Sequence, residues 1–211
     1  MTGGYLSYLY LFQGTSIIIF GLIGLVTMSR IVFCHFFQPK KLVIPSLSAT
    51  MLIYMLTHIV NLLFSVTYHI YIVFWWRPDK NLYNSHLIFW FGIWTLNYLV
   101  CGPIVIFFLT LDRCLVLKLT FRYNDRIEQW LVRIILLVLF ITYVFSTIIY
   151  MMELPLDLKK DCDIWACVVP KYRNLPQLFV KLVLGTMNIL CSVLLFYLAR
   201  NSSSTIVRDE I

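Results

Sequence analysis

Asp112 and Arg113 are adjacent charged residues that follow an uncharged stretch running from 81 to 111. An arginine beside an aspartate can be neutralised in a resting state and turn toward a partner when neighbouring helices separate, which makes the pair a candidate switch. Alternatively, the two charges only end an apolar helix at the lipid surface. From these residues alone, both interpretations stay open.

A set of polar side chains lies within a second uncharged stretch, at steps of three or four residues that place them on one stripe of a helix. Its members are His58, Asn61, Ser65 and His69. Polar residues in apolar helices face other helices and not lipid. We therefore expect hydrogen bonds between this stripe and Asn97 or Asn188, worth about 1 kcal/mol each.

Several aromatic and polar residues near one end of the apolar stretches are candidates for contacting a small ligand. They are His69, Tyr71, Trp90, Trp94, Asn97 and Lys181. A cavity lined by such residues suits a small, mostly apolar molecule. The alternatives are that the polar residues only join helices, that Trp90 belongs to an interfacial aromatic belt, and that Lys181 extends to the membrane surface.

Cys162 and Cys167 are separated by four residues in the connector between spans four and five, where a local disulfide is predicted. No metal site is expected, because the step of eleven residues from His58 to His69 corresponds to about 16 Å along a helix. No hydrolase, protease or phosphate-binding motif is present in the sequence. We therefore expect neither enzymatic activity nor a cofactor.

These residues are positioned by a chain of 211 residues that is 61% hydrophobic and 13% charged, with a mean hydropathy of +0.84. A soluble domain carries about 25% charged residues, so soluble enzymes and nucleic-acid-binding modules are excluded. Uncharged blocks cover 1–29, 42–76, 81–111, 134–152 and 182–199. A spanning helix needs about 20 residues, so each block predicts one span.

The predicted fold class is all-α, a polytopic membrane helix bundle that forms a single transmembrane domain over 1–211. Its five spans are expected at about 8–29, 46–74, 85–111, 134–152 and 178–199. Gly14, Gly21 and Gly24 favour close approach of another helix to span one. Pro103 predicts a kink in span three.

The net charge of +7 is read loop by loop, because basic residues are enriched on the cytosolic side of a membrane protein. Ten basic residues flank or follow spans one, three and five, and seven lie on the opposite side, six in the two connectors there and Lys181 in the first turn of span five. This distribution predicts an external N-terminus and a cytosolic C-terminus. The segment 112–133, with five basic and three acidic residues, is expected to be the main cytosolic loop.

The run LDRCLVLK, from Leu111 to Lys118, resembles the Asp-Arg switch at the inner end of the third helix in seven-helix G-protein-coupled receptors. With the aromatic-rich third span before it, the chain is most similar to the nematode serpentine chemoreceptors of class BC. The resemblance implies that Asp112 and Arg113 form a G-protein switch. It also implies a small odorant or pheromone-like ligand, a heterotrimeric G protein as partner, and a plasma membrane location that includes sensory cilia.

The chain departs from the receptor pattern at three places. Cys114 stands where many receptors place tyrosine, no cysteine lies near Ser85 for the common receptor bridge, and only five of the seven spans are present. One interpretation is therefore a truncated, non-signalling relative that dimerises with a full-length receptor or escorts it. A transporter or channel subunit is disfavoured, because no Asp or Glu lies within any span.

The predicted disulfide is testable on the intact protein. Peptide mass spectrometry without reduction should recover Cys162 and Cys167 in one linked fragment, because both thiols are expected on the oxidising side of the membrane. Recovery of both cysteines as free thiols would contradict the prediction.

Overall fold

The computed structural model describes residues 3–37, 47–77, 82–119, 124–154, 156, 159–161, 171 and 174–209. Within them lie five helices, each long and apolar enough to cross a membrane. Their bounds are α1 Gly3–Phe37, α2 Ala49–Phe74, α3 Ser85–Leu119, α4 Asp125–Met151 and α5 Leu175–Asp209. The protein is an all-α helical bundle and an integral membrane protein. Helices suit this setting because each satisfies its own backbone hydrogen bonds in lipid.

The third helix is the centre of the bundle. It packs against α2, α4 and α5, whereas α1 packs mainly on α2. The inward surface of α3 carries fully buried side chains along much of its length, including Ile88, Leu96, Val100 and Ile104. Because α3 touches three neighbours, it is the element that positions the polar groups of the other helices.

A short antiparallel sheet closes the end of the bundle where α2 ends and α3 begins. Its strands are β1, Leu82–Asn84, and β2, Lys159–Asp161, with Tyr83 opposite Lys160. Tyr83 is buried, and its hydroxyl donates a hydrogen bond to the Ile72 carbonyl at 3.2 Å. The sequence indicates only connectors between spans at these two places. Strands of three residues are too short to show the alternating pattern that identifies a strand in a sequence.

The expectation that span three stops at Asp112 and Arg113 is wrong for the helix itself. The α-helix continues through both residues to Leu119. On the other side of the connection, α4 begins at Asp125, where the Asn124 side chain accepts a hydrogen bond from the Ile127 amide at 3.1 Å. Charged residues limit contact with lipid, but they do not interrupt backbone hydrogen bonding. The predicted loop over 112–133 is therefore mostly helical.

Glycines let α1 approach α2 closely. A Cβ atom built on Gly21 would lie 2.6 Å from Val66 Cγ2, and one on Gly14 would lie 3.2 Å from Val73 Cγ2. Gly24 has a similar neighbour at 3.2 Å in Leu62. These distances explain why small residues occur on this face of α1, as the sequence predicted.

Replacement of Gly21 by valine should separate α1 from α2, because the new side chain would overlap Val66. We expect Gly21→Val to lower the free energy of unfolding by about 1–3 kcal/mol. Denaturation in mixed micelles measures the change. The matched control is Gly185→Val on α5, where an added Cβ meets no atom within 4 Å. Equal stability losses in the two variants would contradict the close contact.

Candidate functional site

Three helix ends meet around Asp112, and we name their polar residues the Asp112 cluster: Ser48, Thr50, Asp112, Arg113 and Glu128. Ser48 and Thr50 lie at the start of α2, Asp112 and Arg113 in the last third of α3, and Glu128 in the first turns of α4. The cluster forms because α2 and α4 begin at the end of the bundle where α3 finishes.

Asp112 is fully buried at the contact between α2 and α3. The Thr50 hydroxyl donates a hydrogen bond to Asp112 Oδ2 at 2.8 Å, and the Oγ atoms of Ser48 and Thr50 lie 3.0 Å apart. Thr50 itself is 1% exposed. A buried carboxyl is tolerated where it is hydrogen-bonded, so this contact holds the end of α3 against the beginning of α2.

Arg113 points the other way. Consecutive residues of an α-helix differ by about 100° in direction, so Asp112 can be buried while Arg113 faces outward. Its side chain is exposed, and Nη2 donates a hydrogen bond to Ser48 Oγ at 2.9 Å. The guanidinium has further N–H groups that an acceptor on a partner can use. The two residues of the predicted switch thus have different surroundings.

Glu128 joins α4 to the cluster. Its Oε1 accepts a hydrogen bond from the Ala49 amide at 2.8 Å, at the beginning of α2. The first amides of a helix lack partners within it, and a carboxylate there is favourable for the helix dipole. In the sequence, Glu128 stands out only as one of the charges of the segment 112–133, and Thr50 does not stand out at all. Neither residue has a local pattern that reveals a contact across 62 to 79 positions.

Three further polar links connect α3 to its neighbours. The Asn97 carboxamide donates to Thr147 Oγ1 at 2.8 Å and accepts from the Ser146 hydroxyl, both on α4. On α2, His58 Nδ1 lies 2.7 Å from the Tyr98 hydroxyl. On α5, Asn188 Nδ2 donates to the carbonyl of Pro103 at 3.3 Å. The helix runs on through Pro103.

The expected pairing of the α2 stripe with Asn97 or Asn188 is therefore wrong. Asn97 is satisfied by α4, and Asn188 contacts the α3 backbone. Ser65 is buried at the contact with α1, where it lines a depression with Gly21, and His69 Nδ1 lies 2.7 Å from the Ser65 carbonyl of its own helix. Because α2 packs on both α1 and α3, its polar stripe is divided between two neighbours.

The six residues predicted to line a ligand cavity do not come together. Tyr71 accepts a hydrogen bond from the Asn84 amide at 3.1 Å, Trp90 is half exposed, and Lys181 lies on the exposed surface of α5. The space expected for a ligand near Tyr71 is occupied by apolar side chains. That packed cluster contains Tyr68, Ile72, Tyr83, Ile88, Phe89, Ile93, Leu96 and Tyr150.

Trp94 and Asn97 do share an open space, between α2, α3 and α4, which we name the lateral crevice. Its volume is about 380 Å³, and Asn61 and Tyr98 also line it. The Trp94 ring stacks on Phe64 of α2, with ring centroids 4.1 Å apart. The lateral crevice is thus a second candidate site. It lies farther from the end closed by β1 and β2 than the site predicted from the sequence.

Cys162 and Cys167 lie outside the described residues. Cys34, Cys101, Cys114 and Cys191 are free thiols. Cys114 Sγ lies 3.5 Å from the Cys191 carbonyl, a contact between α3 and α5. Over the described part of the chain, no group of three or more His, Cys, Asp and Glu side chains is arranged to hold a metal ion.

Thr50→Val should destabilise the bundle, because it removes the hydroxyl that donates to Asp112 without changing side-chain shape. We expect a loss of about 1–3 kcal/mol in the free energy of unfolding, measured by denaturation in mixed micelles. Thr67→Val on the same helix is the control, since the exposed Thr67 hydroxyl bonds only the Leu63 carbonyl of α2. A Thr50→Val variant as stable as Thr67→Val would show that the contact contributes nothing.

No protein-family model, curated protein or solved structure matches this chain. The five long apolar helices make it an integral membrane protein, built as an all-α bundle whose helices contact the lipid bilayer.

Proposed function

We propose that the chain is a receptor-type membrane protein, related to the seven-helix serpentine chemoreceptors, that detects a small odorant or pheromone-like ligand. In this proposal, Arg113 couples the bundle to a heterotrimeric G protein. The observation that carries it is that the two adjacent residues have different environments: Asp112 is buried and hydrogen-bonded to Thr50, whereas Arg113 is exposed.

The different environments of Asp112 and Arg113 suggest how a switch could work. The Arg113 guanidinium donates a hydrogen bond to Ser48, which lies just before α2. A shift of α3 relative to α2 would break that bond and leave the charged group to a partner, while Asp112 moves with the helix. A conformational switch requires two such arrangements of one contact, here with the bond between Arg113 and Ser48 formed or broken. A ligand that prefers one arrangement would then shift the balance between them.

Charge at the Asp112 end of the bundle supports a cytosolic assignment for it. The exposed basic side chains Arg113, Lys118, Arg126 and Arg133 all lie near the junction of α3 and α4. Basic residues favour the cytosolic side, which would place the N-terminus outside. In this orientation at the plasma membrane, including sensory cilia, the cluster would face the G protein.

The test is recruitment of a panel of heterotrimeric G proteins by the full chain in cell membranes, without added ligand. Arg113→Ala should abolish recruitment and leave the surface level unchanged, because the side chain is exposed and contributes little to packing. Lys118→Ala is the matched control, since it removes a positive charge from the same end of α3 but does not touch Ser48. Recruitment that survives Arg113→Ala, or is lost equally in both variants, would contradict the role of Arg113.

A second candidate function is that of a non-signalling partner that dimerises with a seven-helix receptor or escorts it. The outward faces of α1 and α5 favour it: Phe12 on α1 and Leu182 and Phe196 on α5 are each at least 70% exposed. Such faces suit lipid or another membrane helix equally. Co-purification with a seven-helix relative that is insensitive to Arg113→Ala, in cells where the chain recruits no G protein, would favour this function over the first.

A further inference from the structure

The lateral crevice opens toward lipid. Leu56 and Val60 on α2, and Leu136 and Phe140 on α4, line it and are 44–67% exposed on the surface of the spanning helices. Its floor is α3, where Cys101 is buried. The volume of about 380 Å³ falls within the range of about 300–1,000 Å³ found for ligand pockets. A molecule dissolved in the bilayer can therefore enter between α2 and α4.

Most polar groups that line the crevice are already paired within the protein. The Thr57 hydroxyl donates to the Ile53 carbonyl, the Asn97 carboxamide bonds α4, and the Tyr98 hydroxyl bonds His58. Asn61 is different. Its Oδ1 is buried and has no hydrogen-bond partner. A buried acceptor without a donor is unfavourable, so a ligand that brings a donor gains from it.

Asn61 can reach such a ligand with a small adjustment. The last torsion of an asparagine side chain is broad, so its carboxamide can turn toward the crevice without leaving a favoured rotamer. Among the described residues that line the crevice, none is Lys, Arg, Asp or Glu. The crevice is therefore a largely apolar space beside a buried acceptor that lacks a donor, with no charged residue among its described lining to compensate an ionised group.

We propose that the lateral crevice binds an aliphatic alcohol, which enters from the bilayer and donates its hydroxyl hydrogen to Asn61 Oδ1. The alkyl chain replaces lipid against Leu56, Val60, Leu136 and Phe140. A carboxylate is disfavoured because it brings no donor and a charge that nothing in the crevice neutralises. The proposal concerns binding alone, so it holds or fails independently of G-protein coupling.

The test uses n-decanol and n-decane as probes on the full chain in lipid nanodiscs. A diazirine-bearing decanol labels the protein on irradiation, and protection by each unlabelled probe gives its apparent affinity. We expect label on peptides of α2 and α4 that line the crevice, with n-decanol protecting better than n-decane. Asn61→Leu should weaken n-decanol about fivefold, the equivalent of one hydrogen bond, and leave n-decane unchanged.

A second pair of variants keeps the test decisive if Asn61→Leu fails to fold. Val60→Trp fills the mouth of the crevice and should remove specific labelling. Leu63→Trp, at a similarly exposed position of α2 outside the crevice, should leave labelling intact. The proposal is overturned if n-decane protects as well as n-decanol, which would identify an acyl-chain groove. Labelling that persists in Val60→Trp, or an n-decanol affinity unchanged by Asn61→Leu, would overturn it as well.

Discussion

The hydrogen bond from Thr50 to Asp112 is the contact on which the organisation of one end of the bundle depends. Burying a carboxyl costs free energy unless hydrogen-bond donors surround it. The burial of Asp112 therefore requires a donor such as the Thr50 hydroxyl next to it. This requirement fixes the beginning of α2 against α3. Glu128 then fixes α4 to the same point through the Ala49 amide. Arg113 belongs to the same cluster because it is the next residue along α3 and bonds Ser48.

Further hydrogen bonds along α3 fix its other neighbours at other depths of the bundle. Asn97 bonds α4, Tyr98 bonds α2, and the Pro103 carbonyl accepts a hydrogen bond from α5. Apolar contacts between helices have little directional preference in lipid, so such links set which faces meet and at what level. The helix α1 is the exception. It is positioned by close packing of Gly14, Gly21 and Gly24 on α2.

Much of the fold could be predicted from the sequence, because apolar length is a strong signal for membrane helices. The five spanning helices and the close face of α1 are present as predicted. Helix ends were less predictable. Asp112 and Arg113 ended the apolar pattern but not the helix, since backbone hydrogen bonding continues wherever a charged side chain finds a partner or water.

The contacts of the candidate sites were the least predictable part. The stripe containing His58 and Ser65 indicated faces buried in protein, but spacing along one helix does not say which neighbour each residue meets. Thr50 and Glu128 carry no local pattern, although they form the Asp112 cluster. The predicted outer cavity is packed by Tyr83 and its neighbours, because pairing of β1 with β2 brings Tyr83 into the bundle.

A double-mutant cycle between Thr50 and Asp112 tests this account most directly. The free energy of unfolding would be measured in mixed micelles for the unmodified chain, Thr50→Val, Asp112→Leu and the double variant. If the two side chains are joined as described, Thr50→Val should cost clearly less when Asp112 is already leucine, with a coupling energy of about 1 kcal/mol or more. Additive losses would contradict the account, because they would mean that the end of α3 is held against α2 by other contacts.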